Sequence, residues 1–203
     1  MNLDEWFKQI REEYSGHMQC GRGCTECCYG LFDITLADAV NVARGFEKLP
    51  GDVRRDVYSR AEEIHRGILS RIRNQPEPTL FSEDDPLIDE IVDAANSPRC
   101  PLLGENGECL IYDHRPLSCR LEGVPMVDTQ RRLFGDWCEL NFKEGVREPA
   151  LTDLQLDYAE IDAAQEAASA KVAAAGGLQD PRALTFVPSV IVEYPAFWRR
   201  LLT

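Results

Sequence analysis

Apolar residues recur every three or four positions along most of the first half of the chain, which is the spacing of amphipathic helices. The pattern predicts four such helices, over residues 2–15, 33–49, 52–73 and 85–97. Thr35, followed three residues later by an aspartate, predicts the N-terminal cap of the second helix. The first half of the chain is therefore expected to be helix after helix.

The pattern changes in the second half of the chain. Two short apolar runs flank an Asn-Gly pair within residues 100–112, which indicates a small β-hairpin. A short helix is expected over residues 115–119, and an Ala-rich helix should begin at Thr152 and end at Gly176. The chain as a whole is predicted to be mainly α.

Length and composition favour one domain with its own core. The chain has 203 residues, of which 44% are hydrophobic, so it can bury a core without help from metal or disulfides. Its net charge of −13 argues against nucleic-acid binding, because affinity for phosphate requires a basic surface. No apolar run approaches the roughly 20 residues that a membrane span needs, so no membrane partner is expected.

The eight cysteines are the strongest chemical signal in the sequence. The first residues are amphipathic and acidic and lack the basic region of a secretory signal, which predicts a cytoplasmic protein. In a reducing compartment, many cysteines indicate metal or redox chemistry, and a disulfide framework is the less favoured alternative.

Four of the cysteines fall within nine residues, at Cys20, Cys24, Cys27 and Cys28. Glycines between the first two let the backbone approach an ion closely. Side chains of adjacent residues usually diverge, so the vicinal pair is expected to serve different ions or different edges of one multinuclear cluster. The segment predicts a metal-binding loop.

The remaining cysteines are Cys100, Cys109, Cys119 and Cys138. The first two flank the predicted hairpin like a knuckle, and the third lies in the short helix after it. Cys138 is farther along the chain and could instead be a free buried thiol. We predict all eight cysteines as metal ligands, and we expect the fold to bring the two groups to a common centre.

The order and spacing of these residues resemble a known family. The run C-x3-C-x2-C-C from Cys20 to Cys28, followed by the hairpin cysteines and an Arg-Pro-x-x-Cys-Arg segment, looks like the bacterial cysteine-cluster proteins of the YkgJ type. These proteins are described as zinc- or iron-chelating and also as containing an iron–sulfur cluster. The resemblance covers residues 20–36 and 100–120, and it implies a metal site built from these cysteines without implying a reaction.

The identity of the metal stays open between zinc and iron. Thiolates suit Zn2+ and iron–sulfur clusters about equally. Eight cysteines could form two zinc sites of four thiolates each, or hold one four-iron cluster with cysteines to spare. The spacing from Cys20 to Cys27 matches that of the radical-SAM cluster loop, so we favour an iron–sulfur cluster slightly over Zn2+. The helical pattern nevertheless argues against the strand–helix barrel of a radical-SAM enzyme.

Other side chains near the cysteines suggest supporting roles. Arg115 and Arg120 are predicted to serve the cofactor by offsetting thiolate charge and donating hydrogen bonds. His17 and His114 are alternative ligands, although a solvent-exposed turn is the favoured interpretation of His114. His65 is expected on the flank of the third helix.

These expectations define the architecture. We predict an irregular helical domain in which a cysteine-rich loop and a small β-hairpin form a metal site, within a single domain over residues 1–203. The metal-binding core comes from residues 16–36 and 98–140, with a helical insertion at 37–97 and a helical C-terminal extension at 150–203.

Three classes of function stay open. The favoured one is a metal-binding protein that acts in redox chemistry or metal handling, with no substrate assigned. The second is an enzyme, because the flagellin lysine methylases look like they share this kind of cysteine cluster, although the chain has no nucleotide-binding fingerprint. The third is a zinc-stapled interaction module, whose unknown protein partner would meet an exposed apolar patch around Phe197-Trp198.

Overall fold

The structure, a computed structural model, describes residues 3–21, 23–74, 77–124, 126–127, 133–134, 138–143 and 158–202 of the chain. This part contains the α-helices α1 (Leu3–Glu13), α2 (Leu36–Glu47), α3 (Gly51–Leu69), α4 (Leu87–Ala95), α5 (Leu117–Leu121), α6 (Tyr158–Gly176) and α7 (Val187–Glu193). Its strands are β1 (Asp33–Thr35), β2 (Met126–Val127), β3 (Leu133–Phe134) and β4 (Leu184–Phe186). Short 3-10 turns cover Glu26–Cys28, Tyr112–His114 and Trp198–Leu201. The prediction of a mainly α fold is confirmed.

The four helices predicted in the first half are present as α1 to α4, with shifted ends. α3 ends at Leu69, four residues earlier than the periodicity suggested. At the start of α4, Asp85 Oδ1 accepts a hydrogen bond from Leu87 N at 3.0 Å, and Asn96 in the left-handed conformation ends the helix at φ 52°. None of the helices described is long and apolar enough to cross a membrane.

The Ala-rich helix is present as α6. Its predicted start at Thr152 lies outside the described residues. Its end agrees with the prediction, because Gly177 takes φ +67° and Leu178 N donates to Ala173 O at 2.9 Å. The helix packs against α2, where Ser169 Oγ accepts a hydrogen bond from Ala37 N at 3.2 Å.

The residues before α2 form a strand that the sequence pattern did not show. β1 pairs antiparallel with β4, with Ile34 opposite Thr185. Thr35 ends this strand and caps α2 as predicted, since its Oγ1 accepts a hydrogen bond from Asp38 N at 3.2 Å. The carboxylate of Asp38 is used elsewhere, because its Oδ1 accepts from Leu117 N at 3.0 Å and so ties α2 to α5.

The main core lies between α2, α3, α6 and α7. Its fully buried side chains include Leu36 and Val42 on α2, Val57 on α3 and Val190 on α7. The C-terminal turn also belongs to this core, because Phe197 is 7% exposed and Trp198 is 0% exposed. The exposed apolar patch expected at these two residues is therefore absent, since α7 packs against α3 and carries the following turn inwards.

The packing of α7 on α3 also corrects the expectation for His65. Its side chain is buried, and its Nδ1 lies 3.0 Å from Ser189 Oγ on α7. Burial lowers the pKa of this imidazole. His65 therefore lies in the interface between α3 and α7 rather than on the flank of its helix.

A second, smaller cluster packs α1 against the loops that follow α5. It contains Trp6 and Ile10 of α1 together with Leu121, Val124 and Phe142. Cys20 packs against this cluster, whereas Cys100 and Cys109 pack against the main core. The cysteines thus lie where the two clusters meet.

Candidate metal centre

The first cysteine loop is fixed by a buried amide. Asn141 is 1% exposed, and its Oδ1 accepts hydrogen bonds from Gln19 N at 2.7 Å and Cys20 N at 3.2 Å. Its Nδ2 donates to Cys20 Sγ at 2.9 Å and to the carbonyl oxygen of Gly123. One side chain therefore orients both the backbone and the sulfur of Cys20.

Backbone hydrogen bonds join the two cysteine segments directly. Cys100 N donates to Cys28 O at 2.8 Å, and Gly30 N donates to Pro98 O at 3.1 Å. Tyr29 and Arg99 form an antiparallel bridge between these contacts. The loop around Cys28 and the segment that begins the hairpin are therefore neighbours, although they are far apart in sequence.

The predicted hairpin forms as a tight turn with one bridge instead of two regular strands. Leu103 bridges Cys109, and Leu110 N donates to Leu102 O at 2.9 Å. Gly107 takes φ +77°, which suits the glycine of the predicted Asn-Gly turn. The turn places Cys109 back beside the start of the segment.

The short helix α5 supplies the last nearby cysteine, Cys119. The helix covers Leu117–Leu121, so the predicted helix is present but begins and ends two residues later than expected. Its first turn is held by the Asp38 carboxylate described above. Because α2 is anchored in the main core, α5 is positioned by a rigid element.

Seven cysteines line a single small cavity of about 70 Å³, namely Cys20, Cys24, Cys27, Cys28, Cys100, Cys109 and Cys119. Arg115, Tyr112, Glu122 and Phe7 also line this cysteine cavity. All eight cysteines of the chain are free thiols. The structure thus brings the two cysteine groups to one place.

Cys138 lies beside the cavity rather than in its lining. It neighbours Cys20 across Gly123, which has φ +87°, because a Cβ added at Gly123 would meet Cys20 Sγ and approach Cys138 Cβ to 3.4 Å. The positive φ and the close approach of these side chains to the backbone of Gly123 both require glycine at this position.

The thiols do not yet converge on one point. Among the residues described, no group of three or more His, Cys, Asp or Glu side chains is arranged to hold a metal ion. The cysteines that we expected at a common metal centre therefore share a cavity without forming a metal site. Which of them bind metal stays a prediction.

Comparison with known protein families shows to which family the chain belongs. A family model named CxxCxxCC, described as a "putative zinc- or iron-chelating domain", matches residues 19–139. The chain belongs to this family. The matched segment contains all eight cysteines, and it confirms the resemblance drawn from the motifs. No curated protein and no solved structure matches the chain.

Membership in the CxxCxxCC family supports metal binding, and the donor chemistry of the cavity fits zinc or iron. The family label writes two residues between its first two cysteines, whereas this chain has three between Cys20 and Cys24. Closely grouped sulfurs from loops and a short helix are the usual donors for these metals. The agreement with zinc or iron therefore rests on the chemistry of the sulfur donors and not on a preformed coordination geometry.

The electrostatics of the cavity disfavour ionised sulfur unless a cation is present. Burial raises the pKa of Cys20 to about 11 and that of Cys100 to about 11. The pKa of Cys119 is raised by burial and by the neighbouring thiols. The pKa of Cys27 is raised first by a hydrogen bond with the Cys28 thiol and then by burial. A bound cation would reverse this balance, because it stabilises thiolates that otherwise repel one another.

The two predicted arginines occupy different places. Arg115 lines the cavity, stacks over the Tyr112 ring at 3.8 Å and lowers the pKa of Cys119 against the effect of burial. Arg120 donates to the carbonyl oxygens of Arg115 at 3.2 Å and Asp113 at 3.0 Å. Arg115 therefore offers positive charge to the thiols, whereas Arg120 shapes the loop that holds Arg115.

The histidines that we considered as alternative ligands have other contacts. His114 Nε2 accepts from Lys48 Nζ at 3.0 Å, and its Nδ1 lies 3.0 Å from Asn41 Oδ1. The ring of His17 stacks on Phe142 with 6.3 Å between centroids. Neither residue belongs to the cavity lining.

The sequence analysis missed two residues of the site, Asn141 and Glu122. Asn141 acts on Cys20 from a distance of 121 positions along the chain, and no motif marks it. Glu122 lines the cavity, and its charge contributes to the raised pKa of Cys27. Its place two residues after the Arg-Pro-x-x-Cys-Arg segment was the available clue.

Proposed function

We propose that this protein binds zinc, iron or an iron–sulfur cluster through thiolates of the cysteine cavity, with the iron–sulfur cluster slightly favoured by the loop spacing. The observation that carries the proposal is the meeting of seven cysteines, from two distant parts of the chain, in one small cavity. A chain of this size has its own apolar core, so such a concentration of thiols is not needed for packing alone.

The proposed roles follow from position. The loop cysteines Cys20 to Cys28 would supply one side of the ligand shell, and Cys100, Cys109 and Cys119 the other. Arg115 would offset the anionic charge of the thiolates from the rim. A bound iron–sulfur cluster would supply one-electron chemistry, whereas zinc would join the two cysteine segments. We propose redox chemistry or metal handling as the role.

The test is to purify the protein without oxygen and to measure metal per chain together with the absorption spectrum. An iron–sulfur cluster gives iron, acid-labile sulfide and broad visible absorption, whereas zinc gives a colourless protein with bound Zn2+. A protein without metal, whose cysteines are protected in pairs until a reductant is added, would refute the proposal in favour of disulfides.

Variants separate the ligands from a bystander thiol. Cys24→Ser should reduce metal per chain sharply, because a serine hydroxyl is a much poorer ligand at neutral pH. Cys138→Ser is the matched control, since Cys138 lies beside the cavity rather than in its lining, and it should cost less metal. Equal metal content in both variants and the wild type would contradict the ligand assignment.

A further inference from the structure

A second cavity, of about 550 Å³, adjoins the cysteine cavity. It lies between α1 and the turn that carries Tyr112 and Arg115, and it shares these two residues and Phe7 with the cysteine cavity. We call it the cationic groove, because three cations line it, Lys8, Arg11 and Arg115, against two acids, Glu12 and Asp113. In a chain of net charge −13, a groove with more cations than acids is a local exception.

Arg115 is held in place by the protein itself. Its Nε donates to Tyr112 O at 3.0 Å and its Nη1 to Cys119 O at 3.4 Å, while its guanidinium plane stacks on the Tyr112 ring. These three partners are two carbonyl oxygens and an aromatic ring, so none of them cancels the charge of the guanidinium. A fixed guanidinium with remaining N–H groups is well suited to bind an oxyanion, because little freedom is lost on binding.

Arg11 supplies a second guanidinium from α1. It packs over the cysteine loop so closely that a Cβ added at Gly21 would lie 2.7 Å from Arg11 Nη2. Lys8 has a nearby acid, Glu12, at 3.8 Å, but that pair is highly exposed and is worth little. The side chain of Arg11 is exposed, and it forms no ion pair with the residues that the structure describes.

We propose that the cationic groove binds a small organic anion through a carboxylate or phosphate group, with Arg11 and Arg115 as its two anchors. Its volume is in the range of small-molecule sites, and the rings of Phe7 and Tyr112 offer apolar surface for the rest of the ligand. The anion would lie next to the thiols, because the two cavities share three lining residues. Binding of the anion itself does not require metal.

The test measures binding of inorganic phosphate and of succinate by calorimetry at low salt, on the protein as purified. We expect saturable binding of at least one of them, and the stronger of the two identifies the group that the site prefers. Arg11→Gln and Arg115→Gln should each weaken binding about tenfold or more, the effect of losing one charged hydrogen-bonding partner. Arg55→Gln, which removes the same charge from an exposed position on α3, is the matched control and should leave the affinity unchanged.

Two results would overturn the inference: no saturable binding of either anion to the wild type, or an equal loss in Arg55→Gln. Arg11 is exposed, so Arg11→Gln keeps the test valid even if Arg115→Gln fails to fold. The same titration on Cys24→Ser separates the two proposals. Retained anion binding in that variant, together with lost metal, would support the groove as a site of its own, whereas lost anion binding would refute its independence from metal.

Discussion

The main core around Trp198 and the loops around the cysteines differ in what holds them together. In the core, four helices bury aliphatic and aromatic side chains against one another, and hydrophobic burial stabilises them wherever the helices form. We define the cysteine region as residues 18–21, 23–28, 98–124 and 138–143. It is held by isolated backbone hydrogen bonds, by the buried amide of Asn141 and by packing against the edges of two apolar clusters. The core should therefore be stable by itself, whereas the cysteine region should depend on what its thiols bind.

The largest effect is expected from a cavity in the main core. Trp198→Ala removes a fully buried ring that contacts Phe197 edge-to-face at 4.9 Å, so we expect a loss of about 3–5 kcal/mol in the free energy of unfolding. Thermal or urea unfolding measures this loss. Trp198→Phe, which keeps an aromatic ring, should lose less. A Trp198→Ala protein as stable as the wild type would contradict the inward position of the C-terminal turn.

Removal of metal should act on the other region. A ligand present at 100 to 1,000 times its Kd stabilises the folded state by about 2.7–4.1 kcal/mol, and this contribution is lost on chelation. We expect hydrogen exchange to accelerate first in residues 16–32 and 100–120, while α2, α3 and α7 keep their protection. Unchanged exchange in the two cysteine segments after complete removal of metal would show that they are stable without it.

Substitution of one glycine should disturb the cysteine region although that glycine is not itself a metal ligand. Gly123→Ala places a methyl group against Cys20 Sγ and 3.0 Å from Asn141 Nδ2, at a φ of +87° that side chains rarely adopt. We expect a local cost of about 1–3 kcal/mol and less metal per chain. Gly30→Ala is the matched control, because a Cβ there would meet nothing within 4 Å. Equal metal content in both variants would contradict a role for this contact.

The two regions also differ in how far the sequence predicts them. Helical periodicity located α1 to α4 because an amphipathic helix repeats its signal over several turns. The three-residue strands β1 and β4 gave no such signal, since alternation over three residues is too short and the partners lie about 150 positions apart. Phe197 and Trp198 resembled a surface patch because nothing local indicates that α7 carries them inwards.

The candidate site was predictable for a different reason. Clustered cysteines indicate metal chemistry by their residue type and spacing, so the sequence could name the candidate ligands, and seven of those eight cysteines line one cavity. The supporting residues Asn141 and Glu122 are common residue types without a motif, and their roles exist only through tertiary contact. Arg115 was singled out because it lies near Cys119 in the sequence, and it lines the same cavity as that cysteine.

The smallest expected effect is a pH dependence of stability that arises from a carboxyl in the main core and not from the cysteine region. Glu193 on α7 is 6% exposed, and burial raises the pKa of its carboxyl, against the hydrogen bond that its Oε1 accepts from Thr79 N at 2.8 Å. Because the pKa of Glu193 is higher in the folded than in the unfolded protein, protonation of this carboxyl favours folding. Its contribution to the free energy of unfolding is fully present below the ordinary pKa of glutamate. It is lost as the pH rises through the raised value, by about 1.4 kcal/mol for each unit between the two.

Glu193→Gln should remove this slope, because an amide keeps the acceptor for Thr79 N and does not ionise. Relative to the wild type, the variant should gain stability between pH 4 and neutral pH, measured by urea unfolding at several pH values. Glu90→Gln, at an exposed position on α4, provides the baseline for the loss of one acidic residue. Metal per chain should stay the same in both variants. The contrary result would be that Glu193→Gln shows the same dependence of stability on pH as the wild type. The carboxyl would then ionise without a cost to folding, and water would reach it more easily than its burial indicates.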